Sequence, residues 1–233
     1  MSEKLPLTGE TIIFTGSKEP EGAMALTASL GGEAIYLPLI ETSVRQSQLP
    51  DFDCYGWLIF TSATSADAFG QLHIQTHAKI AAVGEKTAEK LAQYGFTADF
   101  IPSVYSADVF VQEFPAVAGE AKCLFIKGSL AKNTIAGMPL QVDEWIIYET
   151  ALKIENAREL CRMRGVIVVF ASPSAVRAYA EVGGDFNAIR TAAIGHVTEE
   201  ALITHGGRAD FIPEKYTYTD LVNEIAKGSC THD

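Results

Sequence analysis

Two stretches of the sequence, KIAAVGEKTAEKLAQYGFTADFIP at 79–102 and RTAAIGHVTEEALITHGGRADFIP at 190–213, place the same Gly-x-x-Thr turn between an apolar run and a helix-periodic run. The turns, Gly84 to Thr87 and Gly195 to Thr198, hold no obvious nucleophile, so any chemistry there belongs to backbone N–H groups and hydroxyls. A helix that starts right after a small-residue turn leaves its first N–H groups without intrahelical partners. Its dipole favours an anion by about 0.3–1 kcal/mol, up to about 2 kcal/mol when partly buried. Gly84 and Gly195 permit the tight turn, while Thr87 and Thr198 either cap the helix or lend a hydroxyl to a bound carboxylate. A second repeated turn, Phe60-Thr61-Ser62 against Phe170-Ala171-Ser172, gives Ser62, Ser172 and Ser174 the same dual reading. Pro173 falls where a first helical turn tolerates a missing N–H.

The elements that must position these turns are short apolar runs rich in β-branched and aromatic residues: 11–15, 57–61, 80–83, 123–126, 166–170 and 192–194. Helix-periodic stretches such as 87–94 and 198–204 follow them, and strand, turn, helix in repetition predicts parallel sheets covered by helices on both faces. The repeat extends to Asp99-Phe100-Ile101-Pro102 against Asp210-Phe211-Ile212-Pro213 and to Tyr105 against Tyr216. More weakly, Ile13-Phe14-Thr15-Gly16 matches Phe125-Ile126-Lys127-Gly128, and Ile40-Glu41-Thr42 matches Tyr148-Glu149-Thr150. The chain therefore reads as two copies of one unit of about 110 residues. Two extended segments, 34–44 and 142–152, sit midway in these units. Paired as a two-stranded connector, they imply that one lobe is inserted into the other. The expected boundaries are 1–37 with 152–233 for one lobe, 42–148 for the inserted lobe, and 38–41 with 149–151 for the connector.

Composition limits the partners. The 233 residues are 48% hydrophobic and 20% charged, ordinary for a folded chain, and the formal charge of −11 argues against nucleic acid and acidic membrane surfaces. Glu3, Lys4, Glu10, Lys18 and Glu19 interrupt any apolar leader, which together with the absence of a long apolar run predicts a cytoplasmic chain. Cys54, Cys123, Cys161 and Cys230 are widely spaced and are expected reduced. His73 and His77 stand at i, i+4, but His196, His205 and His232 supply no third ligand at metal spacing, so no metal is expected.

The stretches WLIFTSATSADAF, AAVGEKTAEKLAQYGF, Tyr148-Glu149-Thr150, VVFASPSAV and AAIGHVTEEAL, in this order and spacing, resemble the uroporphyrinogen-III synthase family over nearly the whole chain. That resemblance implies two α/β lobes, each a small parallel, flavodoxin-like sheet flanked by helices, joined by a two-stranded β connector with the active site in the cleft between them. It implies no metal or organic cofactor; a monomer is expected. The implied substrate is hydroxymethylbilane, a linear tetrapyrrole polycarboxylate, which is dehydrated and cyclised with inversion of its last pyrrole ring. Tyr148 matches the family's tyrosine and takes the part of general acid. Thr15 and Lys127 join the substrate-binding set, with Lys132 and Lys18 as further cationic candidates. The sequence departs from the family where Gly16-Ser17-Lys18 replaces a T-R-P type motif, where Ala171 replaces the Thr of F-T-S, and where His196-Val197-Thr198 replaces P-T-T.

Other readings are a non-catalytic two-lobed protein that binds a small anionic ligand, a nucleotide-binding enzyme and a phosphoacceptor receiver. No G-x-G-x-x-G or G-x-x-x-x-G-K-[ST] is present, and the strands lack an acidic cluster at their ends.

Overall fold

The computed structural model describes residues 5–45 and 48–229. It divides into two compact units, Met1–Glu41 with Ala151–Asp233, and Thr42–Thr150.

The first unit is built on a four-stranded sheet in the order β2-β1-β8-β9, from β1 (Thr11–Phe14), β2 (Glu33–Tyr36), β8 (Ile167–Phe170) and β9 (Arg190–Ala193). Every pairing in it is parallel, with registers such as Phe14 opposite Tyr36 and Phe170 opposite Ala193. The second unit carries β4 (Trp57–Phe60), β5 (Lys79–Ala82), β6 (Cys123–Gly128) and β7 (Val142–Leu152), with β3 (Ile40–Val44) at one edge, in the order β3-β7-β6-β4-β5. Its β7-β6-β4-β5 pairings are again parallel. Single parallel bridges, Ala81 to Phe100 and Ala192 to Phe211, extend the two sheets equivalently.

Laid side by side, the sheets reveal why the sequence repeats. The order β2-β1-β8-β9-Phe211 matches β7-β6-β4-β5-Phe100, so the half-repeat β1β2 corresponds to β6β7, and β8β9 to β4β5. Each unit thus takes its two halves from different copies.

The extended segment expected at 34–44 is divided. Its first part is β2, a full member of the first sheet, and only β3 pairs with β7. Between them Leu37 and Leu39 still donate to Phe14 and Thr15 carbonyls at 3.0 and 3.1 Å. Pro38 has no N–H with which to continue a ladder. β7 is one uninterrupted strand of 11 residues that pairs with β6 from Val142 to Tyr148. Arg45 N–H donates to the Ile147 carbonyl and Lys153 N–H to the Leu39 carbonyl, both at 2.8 Å. These residue numbers rise on one strand as they fall on the other, an antiparallel ladder.

Burial on both faces explains the near-continuous apolar strands. All four residues of β4 and of β8 are buried, as are all six of β6. Alternate side chains divide between two cores: Leu58 and Phe60 join Phe69, Leu91 and Trp145, while Trp57 and Ile59 join Phe110, Phe114 and Phe125. The first unit repeats this with Val168 and Phe170 on one face and Ile167 and Val169 on the other. Each fully buried Val, Leu, Ile or Phe contributes about 1.5–3 kcal/mol relative to exposure.

Helices cover these faces: α1 (Glu21–Ser29), α2 (Ala63–Gly70), α3 (Glu85–Ala92), α4 (Ala107–Ala118), α5 (Ile154–Leu160), α6 (Pro173–Glu181), α7 (His196–Thr204) and α8 (Tyr218–Ser229). No described helix is long and apolar enough to cross a membrane. Cys54, Cys123 and Cys161 are free thiols, whereas Cys230 and His232 lie outside the described residues.

Candidate functional site

In an open parallel sheet, ligands bind at the carboxyl ends of strands where the winding direction reverses. That reversal falls between β4 and β6 in the second unit, and between β1 and β8 in the first.

At the first of these edges, Ser62 follows β4 and caps α2: its Oγ accepts from Ser65 N–H at 3.1 Å. This leaves the N–H groups of Ala63 and Thr64 pointing out of the first helical turn. Across the reversal, β6 ends at Gly128, and the ring of Tyr148 from β7 lies directly on it. A Cβ on Gly128 would stand 2.3 Å from Tyr148 Cζ and 2.6 Å from its Oη, so only glycine admits the ring there. The Tyr148 backbone is held by Ser129, whose N–H donates to its carbonyl at 3.0 Å and whose Oγ accepts from Thr150 N–H at 3.1 Å. The Tyr148 and Ser62 hydroxyls stand 3.5 Å apart, at the outer limit of a hydrogen bond.

Next along this edge, Gly84 is itself the N-cap of α3, and Thr87 is the helix's third residue. The cap role expected of Thr87 is therefore not taken, and the same holds for Thr198 in α7 behind Gly195. Glycine serves because the helix begins at once, with Thr87 and Thr198 N–H donating to the glycine carbonyls at 3.0 Å. Both threonines are buried, at 5% and 3% exposure. Tyr105 packs against Gly84, where an added Cβ would meet its Cβ at 3.5 Å, and Tyr216 presses closer on Gly195, at 2.8 Å from its Cγ. The Tyr216 hydroxyl stands 3.2 Å from His196 Nδ1.

The first unit repeats the serine cap. Ser172 Oγ accepts from Ala175 N–H at 3.3 Å, with Pro173 at the head of α6, and Ser174, half-buried, is the second residue of that helix. Here too the reversal is marked by a glycine under a tyrosine: a Cβ on Gly16 would lie 2.2 Å from the hydroxyl of Tyr218.

Two of the expected ligand contacts are turned inward. Thr15 is fully buried and its Oγ1 donates to the Val169 carbonyl at 2.7 Å, tying β1 to β8. Lys127 is buried rather than solvated, and its Nζ pairs with Glu144 at 2.5 Å and reaches Asn133 at 3.4 Å. Its side chain alternates with Ile126 and Gly128 along β6 and shares the sheet face of Phe125, with the ammonium 5.4 Å from that ring's centroid and paired with Glu144 of β7. Neither group presents itself to a ligand. Lys132 and Lys18 are exposed. His73 lies in the turn after α2, and no group of three potential ligands that could hold a metal exists among the described residues.

Sequence reasoning passed over Tyr218 and the glycines beneath both phenols. The glycines were visible in the weak match of Ile13–Gly16 with Phe125–Gly128, but nothing in a linear sequence says which aromatic ring a missing Cβ admits.

A duplicated chain of parallel strands whose serine- and glycine-capped helices open at the strands' carboxyl ends is a two-unit, doubly wound α/β protein. The family model described as uroporphyrinogen-III synthase HemD matches residues 23–223, and the chain belongs to that family. It is 27% identical to a putative uroporphyrinogen-III synthase of Methanocaldococcus jannaschii over 92% of this chain and 97% of the relative. The uroporphyrinogen-III synthase of Chlorobaculum parvum is 26% identical over 84% of this chain and 89% of its own. Among solved structures, a uroporphyrinogen III synthase of Thermus thermophilus superposes with a TM-score of 0.76 at 15% identity, over 97% of this chain and all 100% of the other. One from Helicobacter pylori gives 0.66 at 16% identity, over 94% and 99%. At such identities the structures speak for the fold.

Proposed function

We propose that this chain dehydrates and cyclises hydroxymethylbilane to uroporphyrinogen III, as a hydro-lyase of tetrapyrrole biosynthesis, and that Tyr148 is its general acid. The observation that carries the assignment of Tyr148 is its place: a phenol seated on Gly128 at the reversal point, beside the Ser62 hydroxyl and the open first turn of α2.

The chemistry asks little of side chains. Loss of the terminal hydroxyl is pushed by the pyrrole nitrogen. Tyr148 supplies the proton with which the oxygen leaves as water, and the resulting cation is attacked by the last pyrrole ring. Attack through the substituted carbon gives a spiro intermediate whose rearrangement inverts that ring. The proton returns to Tyr148 when the carbon that closes the macrocycle loses its hydrogen. Unaided closure occurs at the unsubstituted carbon, so the protein's contribution is orientation, and well-placed reactants can recover about 7–11 kcal/mol of a barrier.

Orientation requires grips on a polycarboxylate by a chain of net charge −11. Long-range attraction cannot supply them. The first-turn N–H groups behind Ser62, Gly84, Ser172 and Gly195, with the half-buried Ser174 hydroxyl, are local donors of the required kind. A monomer working in the cytoplasm, without nucleic-acid partners, completes the proposal, and the net charge supports its last part.

Supplying hydroxymethylbilane and separating the products tests the reading. The type III isomer is expected in excess of the type I macrocycle that forms unaided, and exclusive type I product would refute it.

A further inference from the structure

The duplication has diverged at the two reversal points in a compensating way. In the second unit the phenol on the strand-end glycine is Tyr148, from β7, and the repeat equivalent of that position is Ile40. In the first unit it is Tyr218, the first residue of α8, and the repeat equivalent of that position is Ala107, the first residue of α4. Each unit therefore lacks the other's tyrosine yet sets a phenol on the matching glycine, from a different element.

Tyr218 is placed for more than packing. Its ring meets Phe14 edge-on at 6.0 Å, which fixes its direction, and its hydroxyl is the atom that comes nearest Gly16. Among the described residues that hydroxyl takes no hydrogen-bond partner. Burial pushes the phenol up to about 12, with Tyr36 nearby adding to the effect, so it is a neutral donor at any working pH. Tyr218 is half-buried, and a hydroxyl without a protein acceptor at the strand-end edge of a sheet is a donor open to a ligand.

We propose that Tyr218 is a substrate-positioning residue of the first unit, whose hydroxyl, given room at the end of β1 by the missing Cβ of Gly16, donates to a carboxylate of the tetrapyrrole. This rests on the synthase reading above. The two phenols then differ in what they do with their protons. Tyr148 gives its own to the leaving hydroxyl, and Tyr218 keeps its own.

Tyr218→Phe removes the hydroxyl and leaves the contact with Phe14. The expected result is a KM for hydroxymethylbilane raised about tenfold, the loss of one hydrogen bond to a charged group, with kcat within about twofold of the parent and thermal melting unchanged. Uroporphyrin I, an octacarboxylate that the protein does not turn over, should lose affinity by a similar factor in a fluorescence titration. Gly16→Ala, which thrusts a methyl group at the same hydroxyl, should reproduce the KM effect. A parent-like KM and uroporphyrin affinity for folded Tyr218→Phe would overturn the proposal while leaving the synthase reading intact. A fall in melting temperature with both constants unchanged would make Tyr218 structural and overturn it equally. A parent chain that makes no type III product would remove the synthase reading and this inference with it.

Discussion

Gly128→Ala is the smallest change that tests whether Tyr148 must sit where it does. The added methyl carbon would lie 2.3 Å from Cζ, 2.6 Å from Cε2 and 2.6 Å from Oη of Tyr148, against the 3.4 Å at which ordinary contact begins. The ring must retreat by about 1 Å, and a displacement of that size at a reacting group costs on the order of 100-fold in rate. It cannot retreat freely. The Tyr148 carbonyl is bound to Ser129 N–H, and the residue is in register with Gly128 itself, so the ring swings off Ser62 or the β6–β7 ladder opens. Overpacking of this kind destabilises by about 1–3 kcal/mol. Turnover of hydroxymethylbilane and a denaturant melt measure the two effects together. Because the clash and the loss of the phenol act on one group, Gly128→Ala combined with Tyr148→Phe should be little slower than Tyr148→Phe alone. An alanine variant with parental kcat and parental stability would show that the ring's seat is irrelevant to the reaction.

Tyr148→Phe should itself lower kcat by about 10²–10⁴-fold with the fold retained, and a parental rate would remove it as the acid. Ser62→Ala and Ser172→Ala each delete an N-cap and should cost about 1 kcal/mol in chemical melts; loss of activity without loss of stability would show that their hydroxyls act on substrate alone. Lys127→Met should destabilise by about 1–3 kcal/mol, less than the cost for a fully buried pair because the Glu144 side chain keeps 38% of its exposure, while KM stays parental. A raised KM would restore Lys127 as a substrate cation. Tyr179 and Tyr218 are both pushed up to about 12 by burial, from an ordinary 10.0. In the unfolded chain they ionise first, so stability fully present below pH 10 should fall as pH rises toward about 12. Removing one hydroxyl should flatten that alkaline limb in unfolding measurements, and an unchanged limb would contradict the assigned burial.

The architecture was legible because parallel strands buried on both faces leave continuous apolar runs, and because the repeated Gly84 and Gly195 turns mark the same strand end twice. Ser62 and Ser172 were legible as caps for the same local reason: a cap depends on the residue and the three that follow it. What depends on a partner distant in sequence was not. Of the two roles expected of Thr87 and Thr198, the cap went for a local reason: a glycine three residues ahead of each takes it. Lys127 looked solvated because its neutralising partner, Glu144, stands on the adjacent strand. Pro38 divides what looked like a single connector, yet its Leu neighbours keep bonding to the first sheet. Tyr218 was hidden most completely, since its counterpart in the repeat is an alanine and its importance lies in a glycine on another element.

The central claim is that a polyacid is held by main-chain amides and hydroxyls at the carboxyl ends of these strands, and a crystal structure of the complex with uroporphyrin tests it most directly. Carboxylates resting against the first turns behind Ser62 or Gly84 in the second unit, or behind Ser172 or Gly195 in the first, are the predicted result. A porphyrin bound at the opposite ends of the strands, or carboxylates met only by exposed lysines, would contradict the account.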